Sequence, residues 1–277
     1  MEPENESEDQ FPRNVLTEDD VRAMVRLLGV IAADTRPLAK RRTSLMEGLS
    51  RLIDADAWVW TLMGQTQPGV IPTFTVFLKG GMSDQQLAGH LSANEHPDMA
   101  RIQEPFFSEL QEKGSHITRL RQQVISNEEF HNADVARLWK EVDLGPVILS
   151  YRPTSEGKMS GIVLFRNFDR DVFTPRESRI AHILLSEVPW LHDDAWPGHS
   201  AEDIMTISPR LNTVLSLLLQ GFGRKQIAGD IGISIHTLND YIKTLYRKFN
   251  VHSQSELIRR FVEGDGNDVP IHATRAD

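Results

Sequence analysis

Between Ser208 and Gly264 the chain alternates helix starts with helix stops at short intervals, and that punctuation leaves few folds open. Ser208 is a cap with Pro209 at the first helical position. Val214, Leu215, Leu217 and Leu218 follow at helical spacing until Gly221 ends the run. A short helix over about 224–231 leads into the turn Gly232-Ile233-Ser234. Ser234 then caps a longer helix reaching about Phe249, and Ser253-x-x-Glu256 is a capping box for a last helix ending near Gly264. Two short helices joined by a glycine-containing turn form a helix-turn-helix.

The third helix shows what such a unit is for. Leu238, Ile242, Leu245 and Phe249 form one apolar stripe, while His236, Asn239, Asp240, Lys243 and Arg247 fall on the other side. An α-helix fits the DNA major groove, where base edges present donors and acceptors. Lys243 and Arg247 suit phosphates or guanine, and Asn239 suits adenine. Asp240 either accepts from cytosine N4 or repels the backbone. An ordinary solvated helix face has a similar stripe, so the caps, the turn and the local charge decide for DNA. Residues 204–262 hold 8 Lys+Arg against 3 Asp+Glu, a net of +5, whereas residues 1–203 hold 21 against 32, a net of −11. A small basic module on an acidic body calls for a polyanionic partner for that module alone.

The segment from Ile207 to Leu257 resembles the LuxR-type four-helix DNA-binding domain. The matching marks are Ser208-Pro209-Arg210, Val214-Leu215, Gly221, Lys225, Ile227-Ala228, Ile233-Ser234, Thr237-Leu238, Lys248-Phe249, Val251 and Ser253. The chain departs from the pattern in several places. The family's two glutamates after Pro-Arg are Leu211 and Thr213 here, and its usual Ser-Asn-Lys-Glu is Gly223-Arg224-Lys225-Gln226. Its usual Lys and His in the recognition helix are Asn239 and Tyr241. The resemblance implies that Asn239, Asp240 and Lys243 occupy the groove and that Lys225, Thr237 and Arg247 hold phosphates. It also implies double-stranded DNA as partner, a homodimer on DNA, a contact with RNA polymerase and a cytoplasmic protein. Phe173-Thr174-Pro175-Arg176-Glu177 looks like a second opening of such a domain, but no stop glycine or second helix follows, so it reads as a helix start only.

Upstream, the order is helices, a strand pair, helices, a strand pair and a helix. Thr17 followed by Glu-Asp-Asp starts a helix with Val21, Met24, Val25, Leu28 and Ile31 on one face, and a second helix runs over about 37–53. Residues 57–63 and 73–78 are β-branched and aromatic, hence strands. Residues 84–142 look helical, with breaks at Pro97, Pro105 and Gly114, and with Asn127 or Asn132 capping the helix that carries Trp139. Residues 146–151 and 160–166 form a second strand pair, and Thr174-Pro175-Arg176-Glu177 opens another helix. Neighbouring strand pairs favour an antiparallel sheet over a doubly wound parallel one. The region resembles the GAF/PAS-like sensor halves of some LuxR-type regulators, which implies an α+β domain, a small-molecule effector and a pocket. Pocket candidates are Trp58, Trp60, Phe74, Phe77, Phe106, Trp139 and Tyr151. Such aromatics on a sheet more often fill a core.

The expected organisation is a disordered leader over 1–16, a sensor or dimerisation domain over 17–192, a linker over 193–204, the helix-turn-helix domain over 205–264 and an acidic tail over 265–277. No phosphoreceiver pattern of strand-end acids with a matching Lys is present. The 277 residues include no Cys, which excludes disulfides, thiol catalysis and Cys-ligated metals. There is no membrane-length apolar run, no secretory leader, no Gly-rich phosphate loop, no HExxH and no GxSxG. His182, His192 and His199 with Asp193-Asp194 fit no metal template, and His116 and His131 belong to no nucleophile or carboxylate pattern. The expectation is therefore a non-enzymatic bacterial transcription regulator without cofactor or metal. A protein-interaction factor with a degenerate helix-turn-helix is the alternative, and an enzyme fused to a DNA anchor a remote third.

Overall fold

The computed structural model describes residues 16–64, 74–154, 158–193 and 207–263. The tail and nearly all of the leader and of the expected linker lie outside the described residues. Helices α1 (Glu18–Ala33) and α2 (Leu38–Ile53) are followed by strands β1 (Ala57–Gly64) and β2 (Phe74–Gly80). Next come α3 (Asp84–Asn94), α4 (Pro97–Lys113), β3 (Ile117–Leu120), α5 (Arg121–Val124), α6 (Asn127–His131) and α7 (Asp134–Glu141). Strands β4 (Val147–Pro153) and β5 (Lys158–Phe165) then lead to α8 (Pro175–Ser186) and α9 (Pro189–Asp193). The C-terminal unit is α10 (Pro209–Leu219), α11 (Arg224–Asp230), α12 (Ile235–Lys248) and α13 (Gln254–Ile258), closing in a π turn over Arg259–Glu263.

The five strands form one antiparallel sheet in the order β2-β1-β5-β4-β3. The expected strand pairs and antiparallel pairing are present, with β3 as an additional edge strand inside the stretch expected to be helical. Helices α2 and α8 pack on one face. On the other, Phe106 and Phe107 of α4 meet Tyr151 of β4, while Trp139 of α7 and His90 of α3 meet Phe165 of β5. The sheet is thus buried on both faces, which explains why β1 has seven consecutive buried residues rather than an alternation.

Local expectations hold where a cap defines them and slip where tertiary contacts decide. Thr17 and Asp20 make a reciprocal capping box for α1. The inward face, however, is Asp20, Met24 and Ile31, with Leu27 over Gly48 of α2; Val21 is 45% exposed and Val25 63%. The helix is turned by one position because Asp20 bonds Arg176 of α8, which draws its carboxyl below the usual range to about 2. Pro105 does not break α4. It sits on the solvent side, where the carbonyl left without a donor meets water. Pro97 starts that helix and Gly114, at φ 58°, ends it. Neither Asn127 nor Asn132 caps α7; Ser126 caps α6, and α7 starts after Ala133 without a side-chain cap. Thr174, Pro175 and Glu177 open α8 as a complete capping box.

Gly161 of β5 lies directly under the Tyr151 ring, so a Cβ there overlaps the aromatic carbons. Gly161→Val is expected to destabilise by about 1–3 kcal/mol through overpacking. Urea unfolding should show a lower midpoint with unchanged m.

Candidate nucleic-acid interface

The C-terminal unit folds as its punctuation indicates. Gly221 (φ 83°) ends α10 and Gly232 (φ 66°) turns α11 into α12, both in the left-handed region open to glycine. Ser234 Oγ accepts from the Thr237 amide at the start of α12. Leu238, Ile242, Leu245 and Phe249 are buried, and Phe249 meets Phe261 edge to face. At ~100° per residue, His236, Asp240, Lys243 and Arg247 share a strip of roughly 60° on the opposite side, and all four are exposed. Lys225 is exposed on α11.

The remaining expected contacts are less open. Thr237 is half-buried, its hydroxyl 2.9 Å from Ser234 Oγ. Asn239 is half-buried at the flank of the strip, and its Oδ1 accepts from Arg224 Nη1 at 3.1 Å. Asp240 lies 3.6 Å from Lys243 Nζ and 3.8 Å from His236 Nε2. Its charge is therefore partly matched within the helix, which reduces its repulsion of a phosphate backbone.

What the sequence did not signal is where this unit sits. Helix α10 packs on β2, an edge strand of the sheet. The Val76 amide donates to Ser216 Oγ at 3.0 Å and Gln220 Nε2 donates to the Val76 carbonyl at 3.4 Å. Thr75 Oγ1 donates to Asn212 Oδ1 at 2.6 Å. All of α10 from Asn212 to Leu219 is buried, between its own bundle and the sheet. Around this seam, Thr213 bonds Glu95, Arg210 pairs with Glu95 at 3.3 Å, and Gln226 donates to Asp84 at 3.0 Å. Thr213 and Gln226 are two of the positions where the LuxR-type pattern has glutamate. Glutamates there would face Glu95 and Asp84, so the departures remove like-charge contacts at the seam.

The seven pocket candidates do not converge. Trp60 meets Phe77 edge to face, and Trp58 shares that face of β1. Phe74 contacts His90, and Phe106, Trp139 and Tyr151 pack with it on the opposite face. The bulge between Trp60 and Thr61 separates the registers of Phe74 and Phe77. A single site lined by all seven is not formed; all are buried except Phe74, which is half-buried.

Beneath the Trp60 face runs a polar network. His116 Nε2 lies 2.7 Å from Ser150 Oγ, which lies 2.8 Å from Thr118 Oγ1, itself 3.1 Å from His182 Nδ1. His192 Nδ1 lies 2.9 Å from Ser160 Oγ, which also accepts from Trp60 Nε1 at 2.8 Å. The fold thus gives His116 a serine partner that sequence proximity did not show. Both serines are wholly buried and each meets only neutral groups, so these pairs are core polar contacts rather than an opened nucleophile. His182 and His192 belong to this network and not to a metal template; His199 and Asp194 lie outside the described residues. His96, Asp98 and Asp134 do bring ligand atoms within 4.8 Å of one another. Two of those groups are occupied in helix starts: His96 Nδ1 accepts from the Asp98 amide and Asp98 accepts from the Asp134 amide. Among the described residues, no helix is long and apolar enough to cross a membrane.

Residues 205–261 match the family model of bacterial regulatory proteins of the luxR family, GerE. Among solved structures, SdiA in complex with octanoyl-rac-glycerol aligns over 89% of this chain and 95% of that one, at 14% identity and a TM-score of 0.44. Escherichia coli SdiA in another crystal form aligns over 86% and 94%, at 12% identity and 0.41. A GAF domain/HD domain protein from Geobacter sulfurreducens aligns over 56% and 90%, at 16% and 0.33. No curated protein matches the chain.

Burial lowers the His90 pKa to about 4. Burial, then His182 and Arg152, lowers His116 to about 3. The unfolded chain binds these protons near 6.5 while the folded chain refuses them. Stability is therefore complete above pH 6.5 and is lost as pH falls from there toward 4, at up to about 1.4 kcal/mol per pH unit for each histidine. Denaturation midpoints measured from pH 7.5 to 4.5 should fall accordingly, and His116→Gln should flatten the slope.

Proposed function

From the LuxR-family domain at residues 205–261, we infer a transcription regulator whose N-terminal body sets how that domain meets promoter DNA. The supporting observation is the seam between α10 and β2. It anchors the first helix of the DNA-binding unit to the sheet while the Asp240, Lys243 and Arg247 strip stays exposed. The N-terminal body does not mask the recognition face. It orients it, so regulation acts on the placement of two recognition helices relative to one another. In this reading residues 17–192 are a GAF/PAS-like sensor or dimerisation domain, 193–204 a linker and 205–264 the DNA-binding domain, acting as a homodimer on a two-fold site. The effector is a small molecule bound by the N-terminal body.

Lys225 and Arg247 hold phosphates and position the unit; Asn239, Asp240 and Lys243 face base edges and select the sequence. Asn239 reaches a base by exchanging its contact with Arg224. In gel shifts against a selected operator, Lys225→Gln should weaken specific and random duplexes alike and reduce the salt slope by about one. Asn239→Ala or Lys243→Ala should instead relax preference at one position, by about 1–3 kcal/mol. Unchanged preference in both would remove these residues from the groove.

The seam makes its own prediction. Thr213→Glu with Gln226→Glu sets carboxylates against Glu95 and Asp84. Hydrogen exchange at the Val76 amide should speed up and operator affinity should shift, while the isolated 205–263 unit carrying both changes keeps wild-type affinity. Exchange and affinity both unchanged in the full chain would exclude coupling through this contact.

A further inference from the structure

A cleft of about 210 Å³ opens between β3 and α8, lined by Thr118, Arg119, Gln123, Pro175, Ser178, Arg179 and His182. It shares no residue with the aromatic set above. Ser178, Arg179 and His182 descend one side of α8, while Thr118 and Arg119 come from the edge strand β3. Its lining is rich in donors: two guanidiniums, an imidazole, two hydroxyls and an amide. Arg119 is engaged by Glu109, which also holds Lys113 at 2.6 Å. Arg179, exposed at the rim, has no acidic partner among the described residues. The cations around His182 are Arg179 on its own helix, Arg119 on β3 and Lys113 on α4, and the His116 ring lies 5.4 Å from its own. Burial first, and then these three cations, lower the pKa of its imidazole, and Glu109 is the acid set against two of the cations.

Cationic donors gathered around a small concavity without a matching number of acids favour an anion. The volume lies below the ~300 Å³ at which pockets for larger organic ligands begin, which suits an occupant, or a charged end of one, of a few heavy atoms. We propose that this cleft binds a small oxyanion, a phosphate- or carboxylate-bearing metabolite. Arg179 pairs with its charge, Ser178 and Gln123 donate to it, and His182 closes the inner end through its Nε2. Because His182 Nδ1 meets Thr118 Oγ1, and Thr118 meets Ser150 and so His116, the anion's charge reaches the buried polar network. The cleft is built wholly from N-terminal elements, so its occupancy is measured without DNA and stands or falls apart from the DNA-binding reading.

The test titrates the full-length protein by calorimetry with inorganic phosphate and with succinate, at constant ionic strength set by NaCl, with neutral succinamide as control. Nitrogen-edited NMR of the histidine rings runs alongside. The expected result is one saturable site for at least one anion, no binding of succinamide, and an upward shift of the His182 titration midpoint when the site is filled. Arg179→Gln should weaken binding about tenfold or more, and Ser178→Asp should abolish it, while the exposed Lys40→Gln leaves it unchanged. Arg179 and Ser178 lie at the rim, so circular dichroism should show both variants folded. Preference for phosphate or for succinate separates the two sources of the oxyanion. Binding of neither anion, equal binding of succinamide, or affinity unchanged in Arg179→Gln would overturn the proposal.

Discussion

An edge strand whose outer rim is buried must find partners for its amide and carbonyl groups, and here the partners come from a helix. Val76 of β2 gives its amide to Ser216 and receives Gln220 at its carbonyl, both on α10. A buried amide left without an acceptor costs about 1–3 kcal/mol, so the sheet and the DNA-binding unit each complete the other. The same contact covers an edge that would otherwise pair with a second chain. The placement of this helical unit against the sheet and the burial of the outer face of α10 both depend on this seam.

The seam also accounts for two departures from the LuxR-type pattern that have no local reason along the chain. Thr213 meets Glu95 and Gln226 meets Asp84, at positions where glutamate would be repelled. The substitutions spare the DNA-binding fold and alter one of its outer faces. They fit a helix-turn-helix that works attached to its own N-terminal body. Asp20 with Arg176 and Arg166 with Glu177 do comparable work inside that body, tying α1 and the segment just after β5 to α8 with charge-assisted bonds.

The polar interior beside Trp60 is a different device. Three imidazoles stand in series, with ring centres 5.4 and 5.7 Å apart, joined to Ser150, Thr118 and Ser160. A sheet face that could have been filled with aliphatic side chains instead carries a network that stays neutral because burial disfavours charge. Its outer member, His182, borders the cleft between β3 and α8. A change of charge there has a short hydrogen-bonded route into the core.

Much was legible in the chain alone, for a physical reason: caps, stop glycines and apolar periods act within a few residues. Ser208-Pro209, Gly221, Gly232-Ile233-Ser234 and the Leu238-to-Phe249 stripe determined the helix-turn-helix and its outward Lys243 and Arg247. Thr174-Pro175 determined the start of α8, and the paired strand signals determined an antiparallel sheet. Partners distant in sequence were left to the tertiary structure. The face of α1 depends on Asp20 meeting Arg176, the separation of Trp60 from Tyr151 depends on which side of the sheet each strand presents, and His116 finds Ser150 only once β3 and β4 pair. The docking of α10 on β2 joins residues more than a hundred positions apart, and no local preference of either segment specifies it.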